Sequence, residues 1–344
     1  DGISTTAQWK EVCLSDLVNN INLYISQWLK YRGGIKMVTE VFSSELPIDE
    51  RLTIKKNRIK GGNSEKRFCI VTGTHGDELE GQYVCFLLSQ FLQEHIDDVD
   101  GVIDIYPALN PLGIDSITRG IPNFDLDMNR IFPGDPRGAM AETAANAIYN
   151  DLLGAEMVID IHASNIFLRE IPQVRINVKN ADLLVPYGKE LNVDFIWIHE
   201  AATVLESTLA HSLNSAGTPC LVVEMGVGMR ITRHYGVDLV NGILQLLKSL
   251  GFYKGDVDVE SKEQFVSTQG EVEFLNAGCS GIFIPSIDNN QWMKKGEEIG
   301  KIVSALEGKV LETVTSPSDG LVFTLRAYPI VYEGSLMARI FKKN

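Results

Sequence analysis

The sequence lacks several features that would place it in a common class of protein. No apolar run approaches the roughly 20 residues of a membrane-spanning helix, and the first residues do not show a basic segment followed by an apolar one. Neither a membrane span nor a signal peptide is therefore expected. Internal repeats and low-complexity tracts are also absent, which argues against a repeat protein and against long disordered segments.

Cysteine is scarce, and its spacing is uninformative for metal binding or disulfides. The chain has five cysteines, an odd number, and none of them forms a CxxC pair. Three lie within apolar runs, where a free thiol behaves as a small hydrophobic side chain. A disulfide framework is therefore not expected, and the simplest interpretation is a reduced, cytoplasmic protein.

Positive charge is in deficit. Lysine and arginine together number 31 against 45 aspartates and glutamates, which gives a formal net charge of -14. Nucleic acids and anionic membrane surfaces are polyanions that such a chain repels. The expected partner is a small molecule, with no nucleic acid and no membrane; the sequence leaves open whether the chain forms a homo-oligomer.

The middle of the chain has the pattern of an α/β fold. Between about residues 68 and 250, short apolar runs alternate with segments of helical spacing, which is typical of a mostly parallel sheet flanked by helices. The apolar runs are "FCIVTG", "GVIDIYPA", "MVIDIH" and "PCLVVEMG", and the helical patterns cover 82–94, 141–153, 206–216 and 237–250.

The pattern changes near both ends of this region. Residues 8–30 have helical spacing and precede two glycines, so residues 1–34 are predicted to form an N-terminal helical extension. After Gly251 the chain shows short alternating strands and glycine turns, without a long helical pattern. We therefore predict a catalytic domain over 35–255 and a small C-terminal all-β, barrel-like domain over 256–344.

Polar residues follow four of the predicted strands at the same end. His75 and Glu78 follow "FCIVTG", Asn110 follows "GVIDIYPA", His162 closes "MVIDIH", and Glu224 closes "CLVVE". Because the carboxyl ends of parallel strands meet at one edge of a sheet, where ligands bind in such folds, these side chains are expected to gather there.

The residue types in this set suit a catalytic zinc ion. Two histidines and one carboxylate (His75, His162 and Glu78) make three ligands and leave one coordination position open. Zinc lowers the pKa of a bound water to about 7, and Glu224 is placed to accept the proton of that water. Asp160, two residues before His162, is expected to point away along the strand, so it is a weaker candidate for supporting the site.

Residues 117–136, "ITRGIPNFDLDMNRIFPGDP", form a predicted loop rich in proline, glycine and asparagine. Loops of this length inside a compact domain are usually functional. The loop contains Arg119, Asn129 and Arg130, and a guanidinium group is suited to binding carboxylates and developing oxyanions.

Ordinary structural roles are the alternatives for each of these residues. A solvated turn at the start of a helix would explain His75 and Glu78. A hydrogen-bonded core histidine would explain His162, and a helix cap would explain Glu224. Hydrogen bonds within the loop would explain Asn129 and Arg130. The histidines without a surrounding motif are interpreted as structural or surface residues: His95, His199, His211 and His234. Among them, His199 follows the apolar run "DFIWI" and is the candidate for a position in the cleft.

Five motifs in order resemble those of one family. They are "HGDE" at 75–78, "NPLG" at 110–113, "DMNRIFPG" at 127–134, "DIH" at 160–162 and "VEMG" at 223–226. The chain resembles the succinylglutamate desuccinylase/aspartoacylase family, a branch of the zinc carboxypeptidase-like fold, over roughly residues 35–344. Met128 stands where the family most often has leucine, which is an exchange between apolar residues.

The resemblance implies a role for each matching residue. His75, Glu78 and His162 would hold one Zn²⁺ per chain, and Glu224 would act as general base and then as proton donor to the leaving amine. Arg119 would polarise the scissile carbonyl, while Asn129 and Arg130 would hold the substrate carboxylate. Tyr328 is the candidate for a tyrosine that some relatives place over the substrate.

The function expected from these observations is zinc-dependent hydrolysis of the amide bond of an N-acylated amino acid or a similar small amide. Two alternatives stay open: a zinc carboxypeptidase acting on peptides, and a metal-free binding module that keeps the fold. The C-terminal region also resembles a biotinyl- or lipoyl-type barrel, but Lys309 lacks the flanking methionines that a carrier lysine usually has. That region is expected to shape the active-site cleft instead.

Overall fold

The computed structural model describes residues 35–200, 206–257 and 262–343. The predicted N-terminal extension, residues 1–34, lies outside these ranges. The strands of the first part of the chain are β1 (Ile35–Glu45), β2 (Arg51–Gly61), β3 (Arg67–Thr72), β4 (Gly101–Tyr106), β5 (Met157–Ala163), β6 (Leu168–Asn177), β7 (Phe195–His199) and β8 (Cys220–Gly226). The helices are α1 (Glu80–Glu94), α2 (Pro111–Ser116), α3 (Met140–Leu152), α4 (Ala181–Glu190), α5 (Leu209–Ser215) and α6 (Arg233–Ser249).

Strands dominate the C-terminal part. They are β9 (Phe265–Val266), β10 (Gly270–Asn276), β11 (Gly281–Pro285), β12 (Gln291–Met293), β13 (Glu298–Ser304), β14 (Lys309–Thr315), β15 (Gly320–Arg326), β16 (Ile330–Val331) and β17 (Leu336–Lys343). Within the described ranges no helix is both long and apolar enough to cross a membrane.

The central sheet is parallel in its middle and antiparallel towards its edges. Its main path runs β1-β2-β4-β3-β5-β8-β6-β15-β17-β10. The neighbours β4, β3, β5 and β8 are all parallel, whereas β2 and β6 join this group in antiparallel orientation. The carboxyl ends of the four parallel strands therefore meet at one edge, as the sequence predicted.

Successive side chains of the central strands point to opposite faces of the sheet, and helices cover both faces because both are apolar. In β3, Phe68 and Ile70 pack with α1 and α6, while Cys69 and Val71 pack with α3 and α5 on the opposite face. A strand buried on both faces needs a nearly continuous apolar run, and "RFCIVT" supplies one. The apolar content of these runs thus fixes the layered α/β arrangement.

The C-terminal strands divide between two sheets. Strand β15 pairs with β6 and carries the large sheet onward to β17 and β10. Strands β14, β13, β11 and β16 form a separate antiparallel sheet, and a distinct apolar core lies in this part of the chain. The predicted fold class, a mixed α/β sheet flanked by helices with a small C-terminal β region, is confirmed. The domain boundaries at 34 and 255 stay predictions.

Candidate active site

The first part of the site is the turn between β3 and α1. His75 and Glu78 lie in this turn. At Gly76 the backbone of the turn packs directly against the backbone of α2. A Cβ atom on Gly76 would lie 1.9 Å from the carbonyl carbon of Gly113. Since that atom belongs to the backbone, only glycine fits at position 76. The glycines of "HGDE" and "NPLG" are therefore two sides of one close contact.

Replacing Gly76 with alanine is expected to destabilise the fold by at least about 1–3 kcal/mol, because the added methyl group overlaps backbone atoms that cannot move aside. The displaced turn should also bind metal more weakly, since it carries two of the candidate ligands. Thermal denaturation and metal titration measure both effects. Gly188→Ala is the control: its Cβ would be no closer than 3.5 Å to a neighbouring atom. Equal stability of the two variants would contradict the packing argument.

The structure brings His75, Glu78 and His162 together. All three are buried, and one potential ligand atom from each lies within 4.8 Å of the others. His75 Nδ1 is 2.8 Å from Glu78 Oε1, and His162 Nδ1 is 3.0 Å from Glu78 Oε2. The sequence prediction that these residues converge is therefore matched by their geometry.

A carboxylate lies beside the other ring nitrogen of each histidine. His75 Nε2 is 3.1 Å from Asp127 Oδ1, and His162 Nε2 is 3.2 Å from Asp160 Oδ1. Metal-ligating histidines usually direct their second nitrogen to a carboxylate or carbonyl in this way. The expectation that Asp160 points away was wrong, because residues two apart on a strand share a face.

The charges in this cluster favour a cation between the three side chains. Burial alone would raise the pKa of Glu78, but the two imidazoles outweigh burial and hold that pKa below its usual value. Burial alone would lower the pKa of His162, but Asp160 and Glu78 raise it well above its ordinary value. The acidic groups thus stabilise positive charge at the imidazoles.

The donor set fits zinc. Among the described residues, the buried Nδ1 of His75 has no hydrogen-bond partner, although it faces the Glu78 carboxylate. A metal ion held by both Nδ1 atoms and Glu78 would satisfy this nitrogen. Two imidazole nitrogens and one carboxylate are the ligands of a zinc site that retains an open coordination position.

Glu224 faces the same site from the neighbouring strand. The β5–β8 register pairs His162 with Glu224, and directly paired residues point to the same side of a sheet. Glu224 and the three candidate ligands line one cavity of about 460 Å³. Burial raises the pKa of the Glu224 carboxyl, and the nearby Arg175 opposes this rise.

The long loop contributes Arg119, Asn129 and Arg130 to the cavity wall. Arg119 Nη1 donates to Glu78 Oε1 at 3.0 Å, and its side chain stays 40% exposed. The side-chain oxygen of Asn129 accepts from the Leu209 N–H, so part of Asn129 stabilises the loop as the alternative predicted. Arg130 is exposed, and its Nη1 donates to the Asn129 carbonyl.

Two other candidates, Asn110 and Tyr328, do not line the cavity that contains His75. The Asn110 side chain accepts from the Gly113 N–H and begins α2, so its role is that of a helix cap. Tyr328 packs edge-on against Phe167 and lines a second cavity, not the one that contains His75. Tyr328 therefore does not lie over the candidate metal site.

Several residues of the cavity wall were not predicted. Arg175 and Glu170 lie beside Glu224, and His211, which has no motif around it, also lines the cavity. His199, the histidine considered for a cleft position, lines it as well. The signal for Arg175 was available in the sequence, because Gln173 and Arg175 alternate with apolar residues in "PQVRI". Such alternation indicates a strand with one polar face.

The described residues thus place a buried cluster of two histidines and a glutamate at the carboxyl edge of a parallel sheet, the edge where ligands bind in α/β folds. A sequence model of the succinylglutamate desuccinylase/aspartoacylase catalytic domain matches residues 64–250, and the chain belongs to this family. The family hydrolyses amide bonds of acylated amino acids.

Individual relatives agree with this assignment. An N-alpha-acetyl-L-2,4-diaminobutyric acid deacetylase from Halomonas elongata is 35% identical over 101 residues, which span 29% of this chain and 29% of that protein. A succinylglutamate desuccinylase/aspartoacylase structure from Rhodobacter sphaeroides has a TM-score of 0.74 at 21% identity, covering 90% of this chain and 96% of its own. The product-bound ectoine utilization protein of Ruegeria pomeroyi has a TM-score of 0.73 at 18% identity, covering 90% and 98%. These two structures show that the fold is shared.

Proposed function

We propose that this protein is a zinc-dependent, cytoplasmic hydrolase that cleaves the amide bond of an N-acylated amino acid or a similar small amide. The observation that carries the proposal is the convergence of His75, Glu78 and His162 beside Glu224 on the adjacent strand. Family membership supports amide hydrolysis, and the donor set supports one zinc ion per chain.

His75 Nδ1, His162 Nδ1 and the Glu78 carboxylate would hold the metal. The chemistry that zinc supplies when bound is Lewis acidity, which lowers the pKa of water to about 7 and polarises a carbonyl oxygen. Asp127 and Asp160 orient the two imidazole rings through their outer nitrogens. These contacts leave both Nδ1 atoms directed towards Glu78.

Glu224 is the proposed general base. Arg175 donates to its Oε1, so Oε2 is the oxygen that accepts the proton of the attacking water and later donates it to the departing nitrogen. Burial raises the pKa of this carboxyl, which suits a group that must first accept and then release a proton.

The loop residues are proposed to hold the substrate. Arg119 reaches Glu78 with one guanidinium nitrogen, so it lies close enough to the candidate metal position to stabilise a developing oxyanion. Arg130 is exposed at the cavity and presents a guanidinium group to a substrate carboxylate, with Asn129 beside it. These roles are those that the family resemblance implies.

The cavity favours a small substrate over a long peptide. Its volume of about 460 Å³ lies in the range of small-molecule pockets. Arg339, from strand β17, forms part of the wall, so the C-terminal β region shapes the cleft. A carboxypeptidase would need an open path for the rest of the peptide chain.

A panel of substrates tests the proposal. N-acetyl amino acids, including N-acetyl-2,4-diaminobutyrate, and N-succinyl amino acids are incubated with the zinc-loaded protein, and the release of free amine is measured. Hydrolysis of at least one acyl amino acid, lost with a chelator and restored by zinc, is the expected result. Release of C-terminal residues from peptides, with every acyl amino acid inert, would favour the carboxypeptidase. No turnover of either class would favour the binding module.

A further inference from the structure

A buried carboxylate beside the proposed base binds three side chains. Glu170 is 1% exposed, and its Oε2 accepts from Gln173 Nε2 at 2.9 Å and from Arg175 Nη2 at 2.6 Å. Its Oε1 accepts from Arg339 Nη1. The other amino group of Arg175 donates to Glu224 Oε1 at 3.1 Å. A continuous series of ion pairs therefore links Arg339, Glu170, Arg175 and Glu224.

A bulge in β6 makes this series possible. Glu170 pairs with Gly226 and Gln173 pairs with Glu224, so three steps along β6 correspond to two along β8. In a regular strand, residues three apart point to opposite faces. The extra residue at Ile171–Pro172 turns Glu170 to the face that carries Gln173 and Arg175. The local irregularity therefore places a carboxylate where Arg175 can bind it.

The C-terminal β region supplies the far end of the series. Thr324 of β15 pairs with Glu170 on one side and with Arg339 of β17 on the other. The three residues therefore form one row across the sheet, with Glu170 and Arg339 on either side of β15. The register of the strands, and not a flexible loop, thus brings Arg339 to Glu170.

Trp197 restricts both guanidinium groups. Arg175 Cζ lies 5.5 Å and Arg339 Cζ 5.2 Å from the Trp197 ring. Contacts of this kind favour an arginine lying flat on the ring. With both amino groups of Arg175 bound to carboxylates and its Cζ over the Trp197 ring, the position of its contact with Glu224 is restricted.

We propose that Arg175 is a positioning residue that fixes one oxygen of Glu224, and that Glu170 and Arg339 hold Arg175 in place. This inference rests on the proposed function of Glu224 as the base. It gives the C-terminal β region a part in aligning the active site as well as in enclosing it. Two arginines balance two carboxylates here, so the network carries no free positive charge for a substrate carboxylate.

Kinetics of Arg175→Ala and Arg175→Lys test the proposal. A positioning role predicts that kcat falls about 10²-fold in Arg175→Ala, as expected for a misaligned catalytic group, while KM changes little. Lysine cannot bridge two carboxylates as a guanidinium fork does, so Arg175→Lys should recover only part of the loss. Added guanidinium should restore activity to Arg175→Ala. A large rise in KM with kcat unchanged would instead make Arg175 a substrate ligand and overturn the proposal.

Arg169→Ala is the matched control. Arg169 lies on the same strand but lines the second cavity, where it faces the exposed Asp288 at 3.5 Å. Its removal is expected to leave kcat and KM close to wild type. Arg339→Met should lower kcat in the same direction as Arg175→Ala but by less, because Arg175 keeps its bond to Glu170. A kcat for Arg339→Met equal to wild type would contradict the part assigned to the C-terminal region.

A thermodynamic cycle tests the contact without turnover. The unfolding temperatures of Arg175→Ala, Glu224→Ala and the double variant are compared with wild type, because alanine removes the contact at either position. Direct contact predicts shifts that do not add, whereas additive shifts would show that the two side chains are independent and overturn the proposal. If the wild type hydrolyses no substrate in the panel while the cycle shows coupling, the proposed function fails and the contact stands.

Discussion

Glu224→Gln is expected to lower kcat by about 10²- to 10⁴-fold while the protein keeps its metal. Glutamine has nearly the same shape, and its carbonyl oxygen can still accept from Arg175, so the wall of the cavity should be preserved. What it cannot do is take the proton of the attacking water. Steady-state kinetics measure kcat, and elemental analysis of the same preparation measures the bound metal.

Glu200→Gln provides a control for Glu224→Gln. Glu200 also lines the cavity, yet it is exposed and lies at the end of β7, away from the β5–β8 pair. The same loss of one negative charge there should leave kcat within a few-fold of wild type. Near-normal turnover by Glu224→Gln would remove Glu224 from the role of base. An equal fall of kcat in both variants would indicate that turnover depends on the total charge of the cavity and not on a base at position 224.

His75→Ala is expected to abolish stoichiometric metal binding. The change removes one of three donors and leaves the buried Glu78, among the described residues, with His162 and Arg119 as its charged partners. Removing one partner of a buried ion pair typically costs about 3–5 kcal/mol, so the metal-free variant should also unfold more easily. Metal content after dialysis and a thermal denaturation curve test the two consequences.

Two comparison variants sharpen the His75 result. Asp160→Asn changes a group beside the outer nitrogen of His162, and such changes typically weaken metal binding by about 10- to 100-fold without abolishing it. His95→Ala removes a histidine that stacks on Phe91 away from the cavity, and it should leave metal content unchanged. Full metal occupancy in His75→Ala would remove His75 from the ligand set.

The central architecture was predictable because its signal is local. Strands β3, β4, β5 and β8 are short runs of apolar residues buried on both faces, and helices α1, α3, α5 and α6 have clear helical spacing. Strand β6 and helix α4 were not predicted. In "LREIPQVRIN" the alternation holds only over "PQVRI", because a bulge and a proline precede it, and Pro186 lies within α4.

The candidate ligands were predictable for a different reason. His75, Glu78, His162 and Glu224 follow parallel strands, and the geometry of a parallel sheet brings such positions to one edge whatever the loops do. Contacts that depend on the register between strands distant in the chain leave no comparable pattern in the sequence. Arg339 reaches Glu170 across β15 from a position 169 residues away in the chain, and Asp127 reaches His75 from a loop without regular spacing.

Anomalous diffraction at the zinc absorption edge, from crystals of protein purified without added metal, tests the central claim most directly. A single strong peak is expected among His75 Nδ1, His162 Nδ1 and the Glu78 carboxylate, at about 2.0–2.2 Å from each. A peak elsewhere, or crystals of zinc-loaded protein without a peak among these three side chains, would contradict that claim.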